Sequence, residues 1–216
     1  MLKYPISTIL YLAKLNIKDK IQDALKLHNN IDVRLTITIK DKNGKIIKVH
    51  KQKSHSFVAN FLDILGSLLA ATGYNFTAMG GSTFSFKGGA VTIAANATMA
   101  VYSIVAGKGT IPPTPNDYNL EETIANGTGS GQLVYNNVSF IAPTVNGNTT
   151  SMIISQTFQN LSGASITVTE VGIAALTTDS SGTNRDVLLA HDLLSSPITI
   201  PNNGVMAVTY TISVTT

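Results

Sequence analysis

The chain has 216 residues, no cysteine and no tryptophan, and only 12% of its residues are charged, about half the roughly 25% usual in soluble domains. That length is enough for one full β-sandwich or two small domains. The missing cysteine excludes a disulfide framework, a thiolate nucleophile and a cysteine-held metal or iron–sulfur centre. The net charge of +3 hides a division: residues 1–55 carry 12 Lys and Arg against four Asp, a balance of +8, whereas residues 56–216 carry three against eight acids, a balance of −5. A basic end of this kind suits nucleic acid, a lipid headgroup layer or an acidic partner, or is a solvated lysine-rich surface.

Residues 4–28 read as helix in two pieces. Pro5 sits in a first turn, where its missing N–H costs nothing, and Asn16 with Asp19 forms a weak capping box that restarts the helix. Ile17, Ile21, Ala24, Leu25 and His28 then make one stripe, with Lys18, Asp19, Gln22 and Lys26 on the other side. Residues 1–30 are therefore expected to be a basic amphipathic arm that packs on a neighbouring subunit or domain. The apolar runs at residues 4–13 and 61–74 fall short of the ~20 residues a spanning helix needs. Lys14, Lys18 and Lys20 stand where a secretion signal would be cut, so no cleaved leader is expected.

From Ile31 the period changes to two. Val33, Leu35, Ile37 and Ile39 alternate with Arg34, Thr36, Thr38 and Lys40, Asn43-Gly44 turns the chain at positive φ, and Ile46, Ile47 and Val49 supply the return strand, predicting a hairpin over 31–52. Ser54 or Ser56 offers an N-cap, after which Phe57, Val58, Phe61, Leu62, Leu65, Leu68 and Leu69 recur at helical spacing, predicting a largely buried helix over 55–71. Short strands follow. Residues 84–86 lead through Lys87-Gly88-Gly89 into 91–95 as a hairpin, and 98–105 continue the sheet. Residues 106–131 contain five Gly and three Pro and read as a long loop anchored by Tyr118, Leu120 and Ile124; loops of that length are usually functional or bind subunits. Strands are then expected at 133–141, 152–158, 166–176, 187–191, 197–200 and 205–214, with a bulge near Glu170 to Gly172, where the inward parity changes. The fold expectation is mainly β: an antiparallel, jelly-roll-like β-sandwich over 31–216 with an N-terminal helical arm and one buried helix.

Chemistry is sparse. His28, His50, His55 and His191 lie in different elements and none forms an H-E-x-x-H pair, so no metal site is expected. No G-x-S-x-G occurs, and His191-Asp192 reads as a strand end whose side chains hydrogen-bond at the surface. Gly107-Lys108-Gly109-Thr110 lacks phosphate-loop spacing and is followed by Pro112, Pro113 and Pro115, which forbid the required helix. Asp117, Glu121 and Glu122 do not read as a defined pair of the kind glycoside cleavage needs. Residues 179–186 offer oxygen ligands for Ca²⁺ without regular spacing and read as a hairpin tip. The six N-x-[ST] sequons are little more than this Asn- and Thr-rich composition yields by chance. The basic segment lacks aromatic interleaving beyond Tyr4 and Tyr11, which leaves only nonspecific contact of residues 1–55 with a phosphate or membrane surface.

The stretch HSFVANFLDILGSLLA at 55–70, following VRLTITIKDKNGKIIKVHKQK, and the final third from ISQTFQNLSGASITVTEVG to VMAVTYTISV together resemble virion structural proteins, the tail, neck and adaptor subunits of tailed phages and archaeal viruses. The resemblance covers most of residues 31–216, with GKGTIPPTPNDYNL as the Gly/Pro loop, and leaves residues 1–30 outside it. It implies a multicopy, non-enzymatic part of a virion, without cofactor or small-molecule substrate, that associates with itself and with other virion proteins. Ile17, Lys18, Ile21, Leu25, Lys26, Tyr118 and Leu120 are the expected interaction residues. A carbohydrate- or receptor-binding surface module and a strand-exchanging filament subunit are the alternatives, the first weakened by the scarcity of aromatic residues and the second by the helical N-terminus.

Overall fold

The computed structural model describes residues 30–54, 57–70, 74–86, 91–93 and 103–215. It contains strands β1 (Asn30–Lys40), β2 (Ile46–Lys53), β3 (Tyr74–Thr77), β4 (Thr83–Phe86), β5 (Ile104–Gly107), β6 (Val134–Asn146), β7 (Thr149–Gln159), β8 (Ile166–Thr178), β9 (Asn184–Ile200) and β10 (Val205–Thr215), with helix α1 (Ala59–Ala70) between β2 and β3. The arm expected at residues 1–30 lies outside the described residues up to Asn29.

The fold is mainly β and its strands pair antiparallel. One sheet runs β2-β1-β10-β7-β6, a second β5-β8-β9, and β3 pairs with β4. Alternation builds the first sheet. Leu35, Ile37 and Ile39 are fully buried and face Tyr210, Val208 and Met206 across the register, which are also fully buried. These residues share one core with Ile154 and Phe158 of β7 and with Val168, Ile173, Leu188 and Ile198 of the second sheet. Hydrogen bonds join the two sheets as well: the Gln156 carboxamide accepts from the Ile104 N–H at 2.9 Å, and Tyr210 Oη donates to Asp192 at 3.0 Å.

The middle of the second sheet is covered on both faces, and its sequence shows it. Residues 170–175 and 187–192 are buried without a break, the continuous pattern of strands with no solvent side. Val58 N donates to Leu189 O, and Asn60 Nδ2 reaches Leu188 O, so α1 lies over β9. The segments expected at 187–191 and 197–200 are consequently one strand, β9, and His191-Asp192 is buried in it rather than standing at a surface end. The expected bulge is present, with register shifts between Val168 and Glu170 and between Ile173 and Ala174.

The hairpin over 31–52 is present, but its turn is longer than a two-residue Asn-Gly loop. Only Gly44 takes positive φ (81°), and Asp41 Oδ1 accepts the N–H groups of Asn43 and Lys45. The same Asp-x-x-Gly-x device closes β8 to β9, where Asp179 Oδ1 accepts from Ser181 and Thr183 and Gly182 has φ 87°, so the hairpin-tip reading of 179–186 holds. β4 pairs with β3; of its expected partner 91–95, Thr92 bridges Leu176 instead, and residues 87–90 and 94–95 lie outside the described set.

Helix α1 corrects the sequence reading twice. Ser54 does not cap it, because its hydroxyl donates to Asp192 Oδ2 at 2.7 Å, and the other expected cap, Ser56, lies outside the described residues. Nor is the helix largely buried: Leu62, Leu65, Leu68 and Leu69 are 65, 44, 51 and 80% exposed, while Asn60, Ile64 and Ser67 face inward. The inward amide and hydroxyl are satisfied by Thr77 O, Leu188 O and Phe86 O.

A Cβ at Gly172 in β8 would lie 2.6 Å from Ala190 O and 3.0 Å from Leu188 Cδ1. Gly172→Ala is therefore expected to destabilise the fold by about 1–3 kcal/mol, because backbone rather than a rotatable side chain must give way; urea unfolding followed by circular dichroism measures it.

Candidate functional site

Glu170 is the one fully buried carboxylate of β8, directed against the chain that leaves β5. Its Oε1 accepts the N–H groups of Gly109 and Glu122, both at 2.8 Å, and its Oε2 accepts that of Glu121 at 3.1 Å. Glycine makes this approach possible: a Cβ at Gly107 would lie 2.7 Å from both Glu170 Cγ and Cδ. Lys108 N to Glu122 O and Ile124 N to Ala106 O complete the return of the loop. Gly107-Lys108-Gly109 is thus a turn, and one shaped around a carboxylate.

His191, 3% exposed on the adjacent β9, bonds Glu170 Oε2 through Nε2 at 2.8 Å and Asp117 Oδ2 through Nδ1 at 2.7 Å. Asp117 Oδ2 also accepts from Thr114 N at 2.9 Å, and its Oδ1 from the Thr114 hydroxyl at 2.5 Å. Burial, the largest influence on Glu170, pushes its carboxyl up, but His191 and the amides of Glu122, Gly109 and Glu121 outweigh it and hold it below the ordinary value. Asp117 follows the same logic, with burial opposed by Thr114 and His191. For His191, burial pulls down and the two carboxylates more than restore it, so its proton is held above the usual range. An imidazole between two ionised carboxylates carries both N–H protons and donates from each.

The array Asp117–His191–Glu170 is therefore an ion-paired tether between the two strands and the 106–131 loop. Both ring nitrogens are committed to carboxylates, leaving neither to exchange a proton with a substrate, and the neighbouring hydroxyl, Thr114 Oγ1, donates to Asp117 rather than facing the ring. Asp117 and Glu121, which do not read from sequence as a defined pair, are each held separately: Asp117 by Thr114 and His191, and Glu121 through Oε2, which accepts from Thr110 and Ile111 at 2.6 and 2.8 Å. A cavity of about 210 Å³ opens beside the tether, lined by Ile111, Pro112, Asp117, Asn119, Glu121 and His191. A second, of about 310 Å³, lies around Asn60, Asp63, Asn75, Asn116, Asp117 and Tyr118.

Of the expected interaction residues, Ile17, Lys18, Ile21, Leu25 and Lys26 lie outside the described residues. Tyr118 is 43% exposed and lines the larger cavity rather than anchoring the loop. Leu120 is 2% exposed beside Gly172; it anchors the loop, as Ile124 does, and presents no surface to a partner. Sequence reasoning missed Glu170 and His191. The available signal was a lone acid and a lone His-Asp pair inside runs that are otherwise apolar. His50 bonds Gln52 Oε1 at 2.8 Å, and His28 and His55 are outside the described residues.

Among the described residues, no group of three or more His, Asp or Glu side chains is placed to hold a metal ion, and no helix is long and apolar enough to cross a membrane. No family model, curated protein or solved structure matches this chain.

Proposed function

We propose that the chain is a non-enzymatic virion subunit, a multicopy tail or adaptor component in which the two larger sheets form a jelly-roll-like sandwich and which assembles by self-association. The observation that carries the self-association is β6. This outer strand of the five-stranded sheet has 13 residues and no charged side chain, and Phe140, Ile141 and Val145 on it are 44, 49 and 74% exposed. An uncharged edge is a template for a further strand, which natural sheets ordinarily blunt with lysine, proline or bulges; β6 carries Pro143 and register shifts after Tyr135 and Ile141, so that among the described residues Val138 to Ile141 is its longest regularly paired, uncharged stretch. The opposite edge, β2, is blunted with Lys48, Lys51 and Lys53. Placement in a virion rests on the sequence resemblance of residues 31–216, with other virion proteins as partners and the basic segment 1–55 turned toward genome, membrane or a core component.

Light scattering on the full chain is expected to give a discrete multimer, and Ile141→Lys with Val145→Lys is expected to reduce its mass. A wild-type chain that stays monomeric at all concentrations overturns self-association.

One observation favours the rival reading of a carbohydrate-binding surface. The cavity of about 310 Å³ is lined by amides, two carboxylates and the half-exposed Tyr118 ring, the mix of hydrogen-bonding groups and one apolar face that sugar hydroxyls and ring carbons require. A monomer retained on a polysaccharide column, with retention lost in Tyr118→Ala, would establish it.

A further inference from the structure

The surface of α1 is inverted relative to an ordinary packed helix. Its inward side carries Asn60 and Ser67 beside Ile64, and four exposed leucines form the outward side. Leu62, Leu65 and Leu69 follow one another at steps of three and four, the spacing of a seam that packs on another helix. Asp63 is the one charged residue of α1.

Three observations identify what fits this seam. The chain joins the fold at Asn30, and Ser54 N donates to Val33 O at 2.8 Å, so the segment leading into α1 starts from the same end of the sheet as the N-terminal segment. Ser54 and Ala59 are five residues apart, a span of at most about 18 Å. Next, Ile17, Ile21, Ala24 and His28 step by four, three and four residues, the same seam spacing, and residues 17–28 match the 12 residues of α1 in length, about 18 Å each if helical. Finally, residues 17–28 carry three Lys against Asp19 and Asp23, a balance of +1 opposite in sign to Asp63.

We propose that residues 17–28 of the chain seat as a helix on the leucine face of its own α1. The basic segment is then held against the fold. This docking is independent of whether copies associate through β6.

The native chain has no cysteine, so introduced pairs report cleanly. Ile21 and Leu65 are near the middle of their segments and meet in either helix orientation. Full-length protein carrying Ile21→Cys and Leu65→Cys, treated with a short bis-maleimide, is expected to link within one chain, several-fold more than a control pairing Ile21→Cys with Lys42→Cys at the far turn of the β1–β2 hairpin. Mixing ¹⁴N and ¹⁵N chains before treatment separates the sources by peptide mass. Links within single-isotope chains support the proposal; links only in mixed-isotope species assign the seam to a second copy and overturn it. Linkage no greater than the control, repeated with Leu69→Cys in place of Leu65→Cys, also overturns it.

Discussion

His191→Leu is expected to destabilise the protein by about 3–5 kcal/mol, the cost of leaving a buried carboxylate without its cation. Glu170 retains the N–H groups of Gly109, Glu121 and Glu122, which places the loss toward the lower end of that range. The damage should be local first. Residues 108–124 are held to β8 and β9 through Glu170 and His191, so limited proteolysis should cut this loop in the variant well before the sheets unfold. A variant that unfolds at the wild-type urea concentration, with its loop equally resistant, would show that the tether is ornamental. Glu170→Gln is the sharper companion: its amide would turn an NH₂ group toward backbone donors or toward the His191 ring, and no rotamer satisfies both sides.

The same tether sets a pH signature. The His191 proton is held above its ordinary 6.5, so its contribution is complete below about pH 6.5 and is lost as pH rises through the raised value. Asp117 and Glu170 are held below their ordinary 3.8 and 4.5, so their contribution is complete above those values and is lost as pH falls through the lowered ones. The gap in stability between the wild type and His191→Leu should therefore be widest between about pH 4.5 and 6.5 and narrow on both sides. Urea midpoints at pH 5.5 and pH 9 measure the alkaline arm, and an equal gap at both would contradict a protonated ring.

What the sequence disclosed and what it withheld divide along physical lines. β1 and β10 have one covered face each, so alternation at Val33 to Ile39 and at Met206 to Tyr210 marked both the strands and their inward residues. β9 is covered on both faces where it meets α1, the alternation vanishes, and the pattern reads as two strands, 187–191 and 197–200, with His191-Asp192 at the end of the first. Helical spacing located α1 but not its orientation, since the assumption that leucine points inward fails where Asn60 and Ser67 find carbonyl partners and the leucines do not turn in. The tether was invisible for a different reason. Asp117 and His191 are 74 residues apart, and Glu170 and Gly109 are 61 apart, so no local spacing joins them.

Asn160→Ala is expected to cost about 2–4 kcal/mol, although no apolar packing of note is lost. Asn160 is fully buried just past β7. Its Nδ2 reaches Ala164 O, Ile200 O and Pro201 O at 2.8, 2.9 and 3.2 Å, and its Oδ1 accepts the Ser162 N–H and hydroxyl. Its main chain bonds Gly204 O and Asn203 N, so one residue joins the β7–β8 turn to the β9–β10 turn. Asn203 there holds the left-handed conformation at φ 62°, which asparagine tolerates better than other side-chain-bearing residues. Removing the amide strands carbonyls in the interior at about 1–3 kcal/mol each unless water enters. Asn202→Ala provides the contrast, since its Oδ1 accepts Gly163 N at the exposed surface of the same joint and its loss should stay near 1 kcal/mol. Equal shifts in the two urea midpoints would mean that water replaces the Asn160 amide. A larger shift for Asn160→Ala fixes this sequon as a structural joint, closed to glycosylation in the folded chain.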